Sequence, residues 1–163
     1  MSIKKLLSIS LLALTLSACN SSGQLNDHRT GTIEAAQLLN QYPIFADAKQ
    51  QNEQPASDAE VAQLAKQLHH KDIVVVFGTW CHDSQREVPR LLNLIEKVKR
   101  NHPEVEFTTT LHAVAPSEQR DQAIVNQYQL TYVPTIMLFS DGQEIGRIIE
   151  RSEKSLALDM IAM

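Results

Sequence analysis

Residues 73–89 read IVVVFGTWCHDSQREVP, and the rest of the chain is organised around this stretch. The apolar and largely β-branched run from Ile73 to Phe77 predicts a strand that is buried on both faces. A Gly-Thr pair interrupts the run, and from His82 onward the pattern is helical. The order is therefore strand, short loop, cysteine and helix, which places Cys81 at a helix N-terminus.

A cysteine at the start of a helix lies near unpaired backbone N–H groups, which stabilise an anion. Helix N-termini in general lower the pKa of cysteine thiols. The sequence therefore predicts that Cys81 is a reactive, partly exposed thiol. The alternative is a buried and inert cysteine, which is the commoner state of a free Cys. The position of Cys81 at the edge of an element, and not inside one, argues against that alternative.

The segment from Trp80 to Ser84 reads W-C-x-x-S and resembles the W-C-x-x-C motif of the thioredoxin superfamily. Glu87 and Pro89 extend the likeness to the W-C-x-x-C-x-x-E-x-P form of membrane-attached, periplasmic thioredoxin-like proteins. A second match lies about fifty residues further on, where Val133-Pro134-Thr135 precede an apolar strand. In that family this position carries a cis-proline that faces the active cysteine. The resemblance covers the chain from Asp72 to the C-terminus.

The resemblance implies an α/β, thioredoxin-like fold with a central mixed β-sheet flanked by helices on both faces. From the central strand onward, the apolar patterns predict the matching order β-α-β-α-β-β-α. The later elements are a strand over Val105 to Val114, a helix over Glu118 to Tyr128, two strands around a Ser140-Asp141-Gly142 turn, and a last helix capped by Ser152.

The resemblance also implies the roles of three catalytic residues. Cys81 is the attacking thiol, Pro134 is the cis-proline opposite it, and Ser84 occupies the position of the resolving cysteine. A hydroxyl can hydrogen-bond a thiolate but cannot close a disulfide. In addition, Val75 stands where thioredoxins often carry a buried carboxylate. The chain therefore departs in two places from a general dithiol reductase.

Five further residues are predicted to contact the substrate: Trp80, His82, Asp83, Val133 and Thr135. A protonated His82 would favour a thiolate at the neighbouring cysteine, and Asp83 would oppose it. Two interpretations of Glu87 stay open at this point, a proton relay and a solvated surface charge.

These residues predict monothiol chemistry, namely a thiol–disulfide oxidoreductase or isomerase that acts through Cys81 on protein or small-molecule thiols and disulfides. The alternative is a non-redox binding module, in which the groove beside Val133 and Pro134 binds an extended peptide. A copper site that combines Cys81 with His82 or His112 would be a poor ligand set. No metal and no other cofactor is predicted.

The first residues have the features of a bacterial lipoprotein leader. Lys4 and Lys5 precede an apolar run that is short for a membrane span, and Leu16-Ser17-Ala18-Cys19 fits a lipoprotein box. We therefore expect residues 1–18 to be a signal peptide and residues 19–31 to be the lipidated Cys19 with a flexible tether. The alternative is an ordinary signal peptide that is cut near Ala18.

Residues 32–163 are then expected to form the thioredoxin-like domain, with an N-terminal helical extension over about residues 32–71. In this extension Pro43 should break the first helix near Tyr42, and Ser57 with Glu60 should form a capping box. The residue directly after the lipid cysteine is Asn20 and not aspartate, which resembles lipoproteins that are sorted to the outer membrane. A periplasm-facing envelope lipoprotein is therefore expected, with the outer membrane favoured over the inner.

Length and charge limit the classes of partner. The chain has 163 residues, with 15 basic and 19 acidic side chains. Loss of Lys4 and Lys5 with the leader leaves 13 basic against 19 acidic residues, a net charge of −6. An acidic chain without an extended basic run argues against nucleic-acid binding. The length allows a hydrophobic core that needs no disulfides, and the domain keeps one thiol. A monomer is expected.

Overall fold

The structure is a computed structural model that describes residues 28–51, 55–117 and 120–163. The predicted signal peptide, Cys19 and most of the predicted tether lie outside these residues. Among the helices that the structure describes, none is long and apolar enough to cross a membrane.

The described residues form a five-stranded mixed sheet with six helices. In chain order, the elements are β1 (Gly31–Thr32), α1 (Ala35–Gln41), α2 (Pro43–Gln50), α3 (Asp58–Leu68), β2 (Lys71–Phe77), α4 (His82–Asn101), β3 (Phe107–Ala113), α5 (Gln122–Tyr128), β4 (Thr135–Ser140), β5 (Gln143–Ile149) and α6 (Leu156–Ile161). The strand order is β1-β3-β2-β4-β5. Only β2 and β3 run parallel; the other neighbours are antiparallel. This architecture confirms the predicted α/β fold class.

Strand β2 lies at the centre of the sheet because both of its faces are apolar. Ile73, Val75 and Phe77 point into the main core, which also holds the buried residues of α1, α2, α3, α4 and α6. Val76 points to the opposite face and packs in a smaller cluster, to which α5 contributes Ile124 and Tyr128. Helices therefore cover both faces of the sheet, and β2 is enclosed on its two faces and along its two edges.

The N-terminal extension is built onto the main core. Pro43 begins α2 and separates it from α1 at Tyr42, so the predicted break is confirmed. Phe45 of α2 is fully buried, and its ring meets that of Phe77 edge to face at 5.8 Å between centroids. The predicted capping box of Ser57 starts α3. Since α2 also packs along α4, the extension lies next to the helix that Cys81 precedes.

The last residues of the tether predicted over residues 19–31 are among the described residues, and Gly31 belongs to a strand. Gly31 and Thr32 form β1, which pairs antiparallel with Ala113 and His112 at the end of β3. The unpaired backbone groups of an edge strand favour such an addition. His28, three residues earlier, is half-buried, and its ring stands edge-on to that of Trp80 at 6.4 Å.

Three element boundaries differ from the sequence prediction. Strand β3 is shorter at both ends than the predicted range Val105 to Val114. Helix α5 starts at Gln122 and not near Glu118, because the Asp121 side chain caps it by accepting the N–H of Ala123 at 2.8 Å. Helix α6 is capped by Ser155 and not by Ser152.

The turn between β4 and β5 follows the prediction. Asp141 and Gly142 have φ values of 51° and 77°, which a two-residue hairpin of type I′ requires. Their backbone conformation is the one that Asp-Gly pairs adopt most readily.

Candidate functional site

Cys81 is the N-cap residue of α4 and follows the loop that leaves the C-terminal end of β2. Its side chain does not cap the helix; its sulfur lies 3.1 Å from the carbonyl oxygen of Val133. Cys81 is half-buried. The cysteine therefore lies at the first turn of a helix and is partly exposed.

The loop before β4 approaches the sulfur from the other segment of the site. The peptide bond between Val133 and Pro134 is cis, as the sequence predicts. Val133, Pro134 and Thr135 are all buried. The Thr135 hydroxyl donates to the Tyr132 carbonyl oxygen at 2.7 Å and so closes the loop on itself. Of the predicted contact residues, Val133 thus faces the sulfur through its backbone, and Thr135 acts within the loop.

Ser84 is fully buried, and its hydroxyl oxygen accepts a hydrogen bond from the backbone N–H of Gly78 at 3.2 Å. The bond joins the first turn of α4 to the end of β2 across the loop that holds Cys81. In the described residues the hydrogen-bond partner of the sulfur is Val133 and not this hydroxyl. Ser84 therefore helps to set the position of the cysteine through the backbone.

Trp80 fixes the other side of the same loop. Its indole N–H donates to the Val114 carbonyl oxygen at 3.0 Å, while the ring is 36% exposed. The ring lies over Gly78 so closely that a Cβ at that position would be 2.6 Å from the indole carbon Cε2. Gln85 adds a bond from its amide N–H to the Thr79 carbonyl oxygen at 2.8 Å. The backbone around Cys81 is thus held at three points.

The charged residues after Cys81 form a linked group. His82 is exposed, and Asp83 lies 2.8 Å from Nη2 of Arg86. Glu87 is 1% exposed, and its Oε1 accepts from Nε of Arg86 at 2.7 Å and from Nη1 of Arg90 at 3.1 Å. The interpretation of Glu87 as a solvated surface charge is therefore wrong; the proton relay stays a prediction.

Sequence reasoning missed this carboxylate–guanidinium group, although the spacing signals part of it. Arg90 lies three residues after Glu87, a spacing that brings side chains together on a helix. Arg86 directly precedes Glu87, and its contact with the carboxylate is not predicted by helix spacing. The hydrogen bond to Glu87 raises the pKa of Arg86 above its ordinary value, against the opposing effect of burial. The hydrogen bond with Glu87 therefore favours the cationic form of Arg86.

His112 lies on β3, in register with Val76 of β2 and Thr32 of β1. Burial lowers the pKa of His112 below its ordinary value, and the negative charge of Asp121 opposes this effect. The parts of the chain that the structure describes contain no cluster of three or more His, Cys, Asp or Glu side chains placed to hold a metal ion.

The fold and this thiol site define a thioredoxin-like protein, and comparison with known families agrees. The thioredoxin family model matches residues 50–162, which is more than half of the chain. The chain therefore belongs to the thioredoxin family. No curated protein is significantly similar to it.

Solved structures with a similar fold come from several organisms. A protein of unknown function from Pseudomonas aeruginosa is 15% identical with a TM-score of 0.50, over 80% of this chain and 93% of that one. Fasciola hepatica thioredoxin is 24% identical with a TM-score of 0.34, over 56% and 79% of the two chains. Mitochondrial thioredoxin 3 from Saccharomyces cerevisiae, in its oxidized form, is 25% identical with a TM-score of 0.35, over 63% and 86%.

Proposed function

We propose that the protein is a monothiol thiol–disulfide oxidoreductase or isomerase that acts through Cys81. The main support is the position of its half-buried sulfur, between the first turn of α4 and the carbonyl oxygen of Val133. The residue at the resolving position, Ser84, is a buried hydroxyl that hydrogen-bonds Gly78. The site therefore offers one sulfur for exchange and a polar residue where a second sulfur would be needed.

The proposed reaction begins with attack of the Cys81 thiolate on one sulfur of a substrate disulfide. A new S–S bond forms between Cys81 and that sulfur, the substrate S–S bond breaks, and the other substrate sulfur leaves as a thiolate that takes up a proton. A second thiolate, from the substrate or from a small thiol, then attacks the mixed disulfide and releases Cys81. When the substrate supplies that thiolate and forms a new disulfide of its own, the net reaction is isomerisation.

Two exposed aromatic residues provide a surface for a polypeptide substrate. Trp80 precedes Cys81 and is 36% exposed, and Tyr132 precedes Val133 and is 58% exposed. They come from the two segments that meet at the sulfur. Aromatic side chains with a polar tip bind polypeptide surfaces well because one end is apolar and the other can hydrogen-bond.

The same aromatic pair also favours a second candidate, a binding module in which Cys81 is not used. Trp80 and Tyr132 could contact a peptide by their exposed rings without any reaction at the sulfur. In this alternative, an extended peptide lies in the groove beside Val133 and Pro134 and pairs through its backbone.

One experiment separates the two candidates. The purified protein is incubated with a fluorescent peptide disulfide, and the covalent adduct is measured by mass spectrometry for wild type, Cys81→Ser and Ser84→Ala. We expect an adduct with wild type and Ser84→Ala, none with Cys81→Ser, and release of the adduct by an added thiol. No adduct with wild type, together with unchanged peptide binding after alkylation of Cys81, would favour the binding module.

We further propose that Cys19 carries a lipid and holds the protein at the periplasmic side of the outer membrane. Support comes from the leader, in which two lysines, an apolar run and the Leu16-to-Cys19 box follow one another. The test is Cys19→Ser in a Gram-negative host, followed by membrane fractionation and by mass measurement of the N-terminal peptide. If Cys19→Ser is still found in the membrane fraction as a mature-size chain, the anchor is not the lipid on Cys19.

A further inference from the structure

Glu150 is the first residue after β5, and its backbone conformation is unusual for a residue with a side chain. Its φ is 63°, in the left-handed region that glycine enters freely and that crowds the Cβ of other residues. Its backbone N–H donates to the carbonyl oxygen of Pro134 at 2.7 Å. The turn after β5 is thereby held against the loop that faces Cys81. A residue kept in a strained conformation beside a reactive group is a candidate for a functional role.

Two short contacts and one peptide link connect Glu150 with the reactive sulfur. The Cys81 sulfur lies 3.1 Å from the carbonyl oxygen of Val133. The next residue, Pro134, accepts the N–H of Glu150. Ile149, which precedes Glu150, is exposed and extends the apolar surface at this edge of the site. A substrate that lies across Val133 and Pro134 while its sulfur meets Cys81 therefore has Glu150 within reach.

The carboxylate of Glu150 is available to a partner. Glu150 is exposed, and the ion pairs that the described residues form do not include it. Asp83, the acidic residue in the first turn of α4, is by contrast paired with Arg86 at 2.8 Å. Arg151 follows Glu150 and is exposed too, but the described contacts contain no ion pair between them. The charge of Glu150 is therefore left for a ligand.

The exposed rings of Trp80 and Tyr132 favour the same kind of ligand. Lysine and arginine side chains bind to the faces of aromatic rings as well as to carboxylates. Tyr132 is more than half exposed and directly precedes Val133, on the loop to which Glu150 is bonded through Pro134. A basic side chain of a substrate gains from both kinds of group, whereas an acidic one gains from neither.

We propose that Glu150 selects substrate disulfides that carry lysine or arginine close to the reacting cysteine. The inference rests on the monothiol chemistry proposed above and names a class of substrate for it. An extended peptide advances about 3.3 Å per residue, so a basic side chain two or three residues from the substrate cysteine can meet the Glu150 carboxylate. The charge speeds formation of the mixed disulfide and adds no chemical step of its own.

The experiment measures how fast Cys81 takes up three peptides that differ only in charge. Each peptide has one cysteine, activated as a disulfide with 2-thiopyridine, and the two residues on either side of it are all lysine, all glutamine or all glutamate. The Cys81 thiolate attacks the peptide sulfur, a Cys81–peptide disulfide forms, and 2-thiopyridone leaves with an absorbance that gives the rate. All proteins carry Cys19→Ser, so that Cys81 is the only thiol, and mass spectrometry identifies the adduct.

The measured quantity is the ratio of the rate for the lysine peptide to the rate for the glutamate peptide. We expect this ratio to exceed one in the parent protein and to fall about threefold or more in Glu150→Gln, because a surface charge pair contributes modestly in water. It should invert in Glu150→Lys. Added salt should lower the ratio in the parent protein. Damage to the fold or to the thiol would slow all three peptides equally and leave the ratio unchanged.

Three further variants separate a local effect of Glu150 from a general effect of charge. Glu106→Gln removes the same charge just before β3, at the end of the sheet away from Cys81, and should keep the parent ratio. Arg151→Gln should raise the ratio or leave it unchanged. Glu150→Gly should lower the ratio as Glu150→Gln does, without lowering the melting temperature, because glycine adopts this φ without steric cost.

The outcomes distinguish the selection from the chemistry. A ratio that falls in Glu150→Gln and Glu150→Gly and holds in Glu106→Gln supports the selection. An unchanged ratio in Glu150→Gln overturns it, as does a preference for the glutamate peptide that disappears in Arg151→Gln, and in both cases the monothiol chemistry still stands. If no peptide forms an adduct at Cys81 of the parent protein, both proposals fail.

Discussion

The sulfur of Cys81 lies 3.1 Å from the carbonyl oxygen of Val133, so the resting thiol has an acceptor on the loop that faces it. Replacement of Cys81 by Ser keeps an O–H donor at this place. We therefore expect the free energy of unfolding of Cys81→Ser to be within about 1 kcal/mol of the wild-type value, because one hydrogen bond usually contributes about that much. The variant should also lose the thiol reactivity of the described domain. Thermal unfolding and thiol alkylation measure the two effects. Alkylation that persists in the described domain of Cys81→Ser would contradict the assignment.

Ser84→Cys should convert the site to a dithiol. The Ser84 hydroxyl is buried and accepts from Gly78, and a thiol is a weaker acceptor, so the reduced variant should lose about 1 kcal/mol of stability. After mild oxidation it should lose both domain thiols in a thiol titration and gain reductase activity on model disulfides. Ser84→Ala loses the same hydrogen bond and cannot form a disulfide, which makes it the control. Two free domain thiols after oxidation would show that position 84 cannot resolve Cys81.

Glu87 is buried between Arg86 and Arg90, and these two guanidinium groups stabilise its buried negative charge. The double change of both arginines to Gln strands a buried carboxylate and should cost roughly 3–5 kcal/mol, toward the lower end because the arginines are partly exposed. Adding Glu87→Gln should recover most of that loss. Urea unfolding measures each step. A triple variant no more stable than the double one would mean that the loss comes from packing and not from charge.

His112 should make stability depend on pH. Burial lowers the pKa of His112 in the folded protein, whereas the unfolded value is near 6.5. Between the lowered value and about 6.5, the unfolded chain binds more protons than the folded one, so stability falls as the pH drops through this range. Above that range His112 contributes no slope. Urea unfolding across this range should show a smaller slope for His112→Gln than for wild type, with exposed His82→Gln as the control. Equal slopes in all three proteins would contradict the assignment to His112.

Phe45→Ala tests whether the N-terminal extension belongs to the same folding unit. Phe45 is fully buried against Phe77, and its loss should cost roughly 3–5 kcal/mol. The neighbouring Ile44 is 50% exposed, and Ile44→Ala should change stability by much less. Circular dichroism and the fluorescence of Trp80 should report one transition. A separate early transition in Phe45→Ala would mean that α1 and α2 unfold independently of the sheet.

Much of the fold could be predicted because local chemistry decides it. The run from Ile73 to Phe77 is apolar on both faces and therefore belongs at the centre of a sheet. Ser57 and Glu60 have the spacing of a capping box, and Asp141-Gly142 suits a two-residue turn. In each case the residues that determine the structure are close in the sequence.

The contacts of the site could not be predicted in the same way, because they join residues from different elements. The acceptor of the Cys81 thiol is more than fifty residues away on the loop before β4. A groove between α2 and α4, with Ile44 and Gln85 among its lining residues, forms because the two helices pack together, which no local pattern predicts. Strand β1 has only two residues, too few to show a period.

The pairing of β1 with β3 has a practical consequence for anyone who handles or immobilises the protein. Gly31 meets Ala113 at the end of the sheet where β2 leads to Cys81, and His28 stands edge-on to Trp80. A tag, dye or support joined directly to His28 would therefore lie on the same side of the domain as Trp80 and Cys81. Met163 packs over Gly146 of the edge strand β5, and Gly146 pairs with Leu138 near the middle of β4. Attachment at Met163 is therefore the choice that keeps the added group away from the loop of Cys81.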